Sequence, residues 1–130
     1  MMEKTIMVVD DDYDIRHMLD RSLGRVGYVV ITHSGARDAI RDIEDGRGYD
    51  LLLVDTCLRG GNVEATVDVT EATAVAQVSR RMNPTVRIIN MSGDSREVPN
   101  WRAHYDYRIE KPFTDLNRLR DLVSSCLQEQ

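Results

Sequence analysis

Ile6-Met7-Val8-Val9-Asp10-Asp11-Asp12 is a four-residue apolar run that stops abruptly in three acids. No polar residue alternates within it, so it predicts a strand buried on both faces. Leu51-Leu52-Leu53-Val54-Asp55 repeats the pattern: four apolar residues, then an acid. Two such runs cannot both be satisfied at the wet edge of an antiparallel sheet. They need helices on either side, and helical periodicity is what separates them.

Ile15, Met18, Leu19 and Leu23 follow the first run at i, i+3, i+4 and i+8, with Gly24 and Gly27 closing that helix. Val29–Ile31 predicts a second strand. Ala36, Ala39, Ile40 and Ile43 mark a second helical face, ended by Gly46 and Gly48. Beyond Leu51–Val54, a helix from about Thr70 to Met82 carries Ala72, Val75 and Ala76, and Pro84 stops it. Val86–Met91 predicts a fourth strand and Tyr107–Glu110 a fifth. Between them, a stretch with Pro99 has room for a short helix at most. Thr114 is read as the cap of a last helix bearing Leu116, Leu119, Val123, Cys126 and Leu127. Strands alternating with helices imply an α/β fold, a doubly wound parallel sheet of five strands with helices on both faces. One domain over residues 1–130 is expected at this length.

In a parallel sheet, every strand delivers its last residue to the same edge, and ligands bind there. The first strand ends at Asp10 and Asp11, the third at Asp55, the fourth at Ser92 and the fifth at Lys111. Grouped carboxylates repel and raise each other's pKa unless a cation joins them. Mg2+ suits such a site, because it takes one or two carboxylates plus water and phosphate oxygens. Lys111 is a point charge for a phosphoryl oxygen, and Ser92 is a short hydroxyl donor. Together they suit phosphoryl transfer onto a carboxylate. Asp12 reads as the first helix's cap rather than as a ligand.

The balance of 17 basic against 22 acidic residues, net −5, argues against a nucleic acid or an anionic membrane as partner. The 42% hydrophobic content is enough for a core and argues against disorder. Cys57 and Cys126 form no metal or redox motif, and Met1–Lys4 opens no signal peptide, so a cytoplasmic protein is expected. His17, His33 and His104 lack ligand spacing and read as surface residues. The arginines of the first two helices read as solvated.

Val8-Val9-Asp10-Asp11-Asp12, Leu53-Val54-Asp55, Met91-Ser92-Gly93 and Glu110-Lys111-Pro112-Phe113 occur in that order, and the whole chain resembles a receiver domain of bacterial two-component response regulators. The resemblance implies a flavodoxin-like strand order of 2-1-3-4-5, the order for which a receiver protein serves as a standard example. It implies that Asp55 is the phosphoacceptor, served by a histidine kinase or histidine phosphotransferase, and that the protein signals to an unknown downstream protein target and is not an enzyme. It further implies that Asp11 binds Mg2+ directly, Asp10 through water, and Asp55 and the Cys57 backbone carbonyl complete the metal's protein ligands. Ser92 and Lys111 take the family's hydroxyl and phosphate-sensing positions. Two other readings stand beside this one: a receiver-like scaffold that works without phosphorylation, and an aspartyl-phosphate phosphatase or phosphotransferase.

Some residues depart from the family's pattern. Arg59-Gly60-Gly61 replaces the usual proline after the acceptor, and the stretch from Asp55 to Ser92 is longer than usual. Residues 62–69 are rich in Val and Thr and predict an extended or mobile loop. Asn90 interrupts an apolar strand. Arg108 stands where the family commonly has an aromatic, and is expected to stay solvent-facing or paired with an acid. Trp101, Tyr105 and Tyr107 either form a partner patch or cover the sheet edge. A stand-alone receiver is the expected organisation, with a piece of a larger hybrid protein as the other.

Overall fold

The structure is a computed structural model that describes residues 3–56, 58, 71–92, 101–111, 113 and 115–128, without the side chain of Trp101. Among these residues the elements run β1 (Thr5–Val9), α1 (Tyr13–Gly24), β2 (Val29–His33), α2 (Ala36–Glu44), β3 (Leu51–Asp55), α3 (Glu71–Met82), β4 (Arg87–Ser92), a single 3-10 turn (Trp101–Ala103), β5 (Tyr107–Glu110) and α4 (Leu116–Gln128). The strands form one sheet in the order β2-β1-β3-β4-β5, parallel throughout. This is the expected order. The parallel direction needs crossover connections long enough to carry the chain back to the start of the next strand.

Alternation along each strand divides the core in two. Ile6, Val8, Leu51, Leu53, Ile89 and Met91 face α1 and α4, where they meet Leu19, Leu23, Leu119, Val123 and Cys126. Met7, Val9, Leu52, Val54 and Ile88 face α2 and α3, where they meet Ala39, Ile43, Val75 and Ala76. All five residues of β3 are buried, as a central strand covered on both sides requires. Tyr105 is also buried in the α2–α3 cluster, and Tyr107 packs on the α1–α4 cluster. Tyr105 is thus a residue that covers the sheet, and Tyr107, half-buried, packs on the sheet's other face.

The helix ends follow local chemistry. The Asp12 carboxylate accepts from the N–H groups of Asp14 and Ile15, so it is the cap of α1. Gly27 and Gly46 sit at φ 107° and 91°, the left-handed region that lets the chain leave α1 and α2. At α4 the capping carboxylate is Asp115, which accepts from Asn117 and Arg118, one residue later than the expected Thr114. Thr114 lies outside the described residues, as do Cys57, Gly93, Pro99, Pro112 and the expected loop over 62–69. No helix among the described residues is long and apolar enough to cross a membrane.

Candidate functional site

Because all five strands run in parallel, β1, β3, β4 and β5 deliver Asp10, Asp55, Ser92 and Lys111 to one rim. Asp10, Asp11 and Asp55 each place a carboxylate oxygen within 4.8 Å of the others'. Asp10 is fully buried and Asp55 4% exposed, while Asp11 is open to solvent. A buried carboxylate needs partners, and Asp10 has one on each oxygen. Oδ1 accepts from the Asp12 N–H at 2.9 Å, and Oδ2 accepts from Lys111 Nζ at 2.5 Å. The same ammonium stands 3.2 Å from Asp55 Oδ1. Burial alone would lower the Lys111 pKa, but the bond to Asp10 and the charges of Asp55 and Asp10 outweigh it. The net shift is upward, so the lysine is held charged.

The opposite flank of the rim is built from β4 and β5. The Lys111 N–H donates to the Ser92 carbonyl at 2.7 Å and ties the two strand ends together. Ser92 is almost fully buried. Arg108 is half-buried, and its Nη2 donates to Ser92 Oγ at 3.0 Å. Of the two settings expected for Arg108, solvent-facing or paired with an acid, the first is corrected: register places Arg108 opposite Asn90, on the strand face that turns toward Ser92.

Asn90 explains itself once its partners are seen. The side chain is fully buried, donates from Nδ2 to the Val54 carbonyl at 3.3 Å and accepts from Thr56 Oγ1 at 3.0 Å. Thr56 also gives its N–H to the Met91 carbonyl at 2.8 Å. The residue directly after Asp55 is thereby moored to β4. An amide inside an apolar strand was the only sign of this in the sequence.

Two further expectations are corrected. Arg16 on α1 is not solvated: it is half-buried, and Nη1 donates to the Asp10 carbonyl at 2.7 Å, pinning the acidic loop. His33 is not a surface residue either, since Nε2 lies 2.8 Å from Asp42 Oδ2 in a half-buried pair. Neither contact could be read from spacing along one helix, because both span different elements.

The donor set suits a hard divalent cation. All the grouped side-chain donors are oxygens, and three carboxylates beside one ammonium leave a formal charge of −2. Asp11, on the solvent side, leaves such an ion a way in.

The comparisons with known proteins agree with this geometry. No protein-family model matches the chain. A DNA-binding transcriptional regulator NtrC from Bradyrhizobium is 31% identical over 129 residues, which is 96% of this chain and 24% of that protein. The chain spans about a quarter of the length of the curated relatives it matches. A response regulator receiver protein from Sinorhizobium medicae is 25% identical with a TM-score of 0.79, covering 97% of this chain and 95% of that one. The chain belongs to the receiver domains of the response regulators. A further solved receiver-type protein, TrrA from Thermotoga maritima, is 25% identical with a TM-score of 0.77, covering 95% of this chain and 98% of its own. It was solved in complex with Mg2+ and BeF. The grouping of Asp10, Asp11 and Asp55 fits a phosphoacceptor aspartate and Mg2+ binding.

Proposed function

We propose that residues 1–130 form one receiver domain that accepts a phosphoryl group on Asp55 in a Mg2+-dependent reaction and signals through altered protein contacts. The observation that carries the reading is the convergence of three carboxylates at the rim, two of them, Asp10 and Asp55, paired with one ammonium. An Asp55 oxygen attacks phosphorus, the new O–P bond forms, and the P–N bond of a donor phosphohistidine breaks with its electron pair left on the imidazole. The donor is a histidine kinase or histidine phosphotransferase, and the receiver of the signal is a protein. Asp10, Asp11 and Asp55, with the Cys57 carbonyl, would hold Mg2+. When bound, the ion neutralises charge on the phosphoryl oxygens. Lys111, 3.2 Å from Asp55, donates to one of these oxygens, and Ser92 donates to another.

This makes the protein a signalling module of the cytoplasm rather than an enzyme. A phosphatase with the same acceptor needs a second acid close after it in the sequence for proton transfer, and Thr56-Cys57 supplies none. The residue after Asp55 is Thr56, and its hydroxyl already serves Asn90 and the Met91 carbonyl. Incubation with acetyl phosphate and Mg2+, followed by intact mass, tests the reading. One phosphoryl group per chain is expected on the native protein and none on Asp55→Asn. A phosphoryl group that persists in Asp55→Asn overturns it.

A further inference from the structure

Asp11 is the exposed member of the acidic group. Among the described residues nothing donates to its carboxylate, so the direction of that carboxylate is set by the backbone on either side. Peptide units are planar, and φ and ψ of Asp11 are the only soft torsions between the unit before it and the unit after it. Both units are held. The second carries the Asp12 N–H, which donates to Asp10 Oδ1 at 2.9 Å. The first carries the Asp10 carbonyl, which accepts from Arg16 Nη1 at 2.7 Å.

Arg16 is a firm base for that bond. It sits in the first turn of α1, where its own N–H donates to the Asp12 carbonyl at 3.1 Å and the Asp12 carboxylate caps the helix. The Tyr13 ring lies 5.8 Å from Arg16 Cζ, within cation–π reach, so a second group holds the guanidinium. The arginine is half-buried, and a charged donor binds a carbonyl more strongly than a neutral one does. The Asp10 carboxylate does not depend on Arg16, because the Asp12 N–H and Lys111 hold it. On charge alone, however, Arg16 opposes metal binding. A guanidinium beside a cation site repels the cation, so its charge and its hydrogen bond act on metal affinity in opposite directions.

We propose that Arg16 is a positioning residue for the metal site: by fixing the Asp10–Asp11 peptide it keeps the Asp11 carboxylate turned toward those of Asp10 and Asp55, where Mg2+ would bind, and this outweighs the repulsion of its charge. The inference rests on the Mg2+-binding reading above and deepens it. Arg16 does not touch the ion. It acts through Asp11.

The opposed signs supply the test. Mg2+ affinity is measured by calorimetric titration of the metal alone into three full-length proteins: native, Arg16→Met and Arg21→Met. Methionine keeps much of the side chain's length and removes its donors and its charge. Arg21, exposed and further along the same helix, controls for the loss of charge. Groups that bond directly to a metal's ligand are worth about tenfold to a hundredfold in affinity. Acting one peptide unit away, Arg16→Met is expected to weaken Mg2+ binding about threefold to tenfold. Arg21→Met is expected to leave it unchanged or slightly tighter. Unchanged affinity in Arg16→Met, with only a lower urea midpoint, would make the arginine purely structural. Tighter binding would mean that only its charge is felt, and equal weakening in Arg21→Met would mean that the contact to Asp10 is irrelevant. Each of these three results overturns the proposal. Should Arg16→Met fail to fold, Arg16→Gln takes its place with the same outcomes. A native protein that takes up no Mg2+ overturns the metal-site reading instead, so the two failures are told apart.

Discussion

Asp10, Asp11 and Asp55 on the β1–β3 flank of the rim are grouped carboxylates organised by charge, with Lys111 as the counterion of Asp10 and Asp55. Asn90, Ser92 and Arg108 on the β4–β5 flank are organised by directed hydrogen bonds, each with its own acceptor or donor. Charge is long-ranged and tolerant of angle. Grouping the acids needs little more than parallel strand ends. Hydrogen bonds weaken steeply beyond a few tenths of an ångström and below about 120°, so the second flank depends on exact register. The residue types of the first flank match the family's pattern, whereas the second carries the departures.

The comparison is open to attack first where charge does most. With excess EDTA, phosphorylation by acetyl phosphate should run at least about a hundredfold slower than with Mg2+, because the acids and the incoming phosphoryl group then repel without relief. Equal rates with and without the ion, read by intact mass, would show that the acidic flank works without a cation.

Next in size is the counterion. Lys111→Met leaves Asp10, fully buried, without the ammonium that balances it. Breaking a buried pair from one side costs about 3 kcal/mol, and urea unfolding at neutral pH should show a loss of that order. Added Mg2+ should recover part of it, since an ion that binds only the folded state stabilises that state. A loss under about 1 kcal/mol would mean that the pair is not what holds the flank together.

The pH dependence of that pair is smaller. Lys111 has a raised pKa in the folded protein, against an ordinary value of 10.5. A raised folded pKa gives stability that is whole below the ordinary value and is lost as pH climbs through the folded one. Stability should therefore fall above about pH 10.5, and more steeply in the native protein than in Lys111→Met. Burial raises Tyr49 and Tyr105 as well, so both proteins share their alkaline loss, and the difference between the two curves belongs to Lys111. Coincident curves in thermal melts across that range would remove the charge account.

The directed flank sharpens the contrast with the smallest effect. Asn90→Leu takes the amide donor from the buried Val54 carbonyl and an acceptor from Thr56 Oγ1, so global stability should fall by about 1 kcal/mol. The mooring of Thr56 loosens, and its amide should exchange severalfold faster with solvent. Unchanged exchange at Thr56 would show that Asn90 only fills space.

Much of this molecule is written along the chain. Apolar runs that end in Asp10 and Asp55, and helical periods between them, determine a parallel sheet, because strands buried on both faces admit few other arrangements. Parallel direction then carries Asp10, Asp11, Asp55, Ser92 and Lys111 to one rim without any knowledge of contacts. The bonds from Arg108 to Ser92, Asn90 to Thr56 and Arg16 to Asp10 were decided only by the tertiary structure. Each joins residues from different strands, or a helix to a loop, over a few ångströms. Polarity and periodicity tell which face a residue occupies. A hydrogen bond forms only where register and packing bring one donor to one acceptor, and that distance exists only in the folded chain.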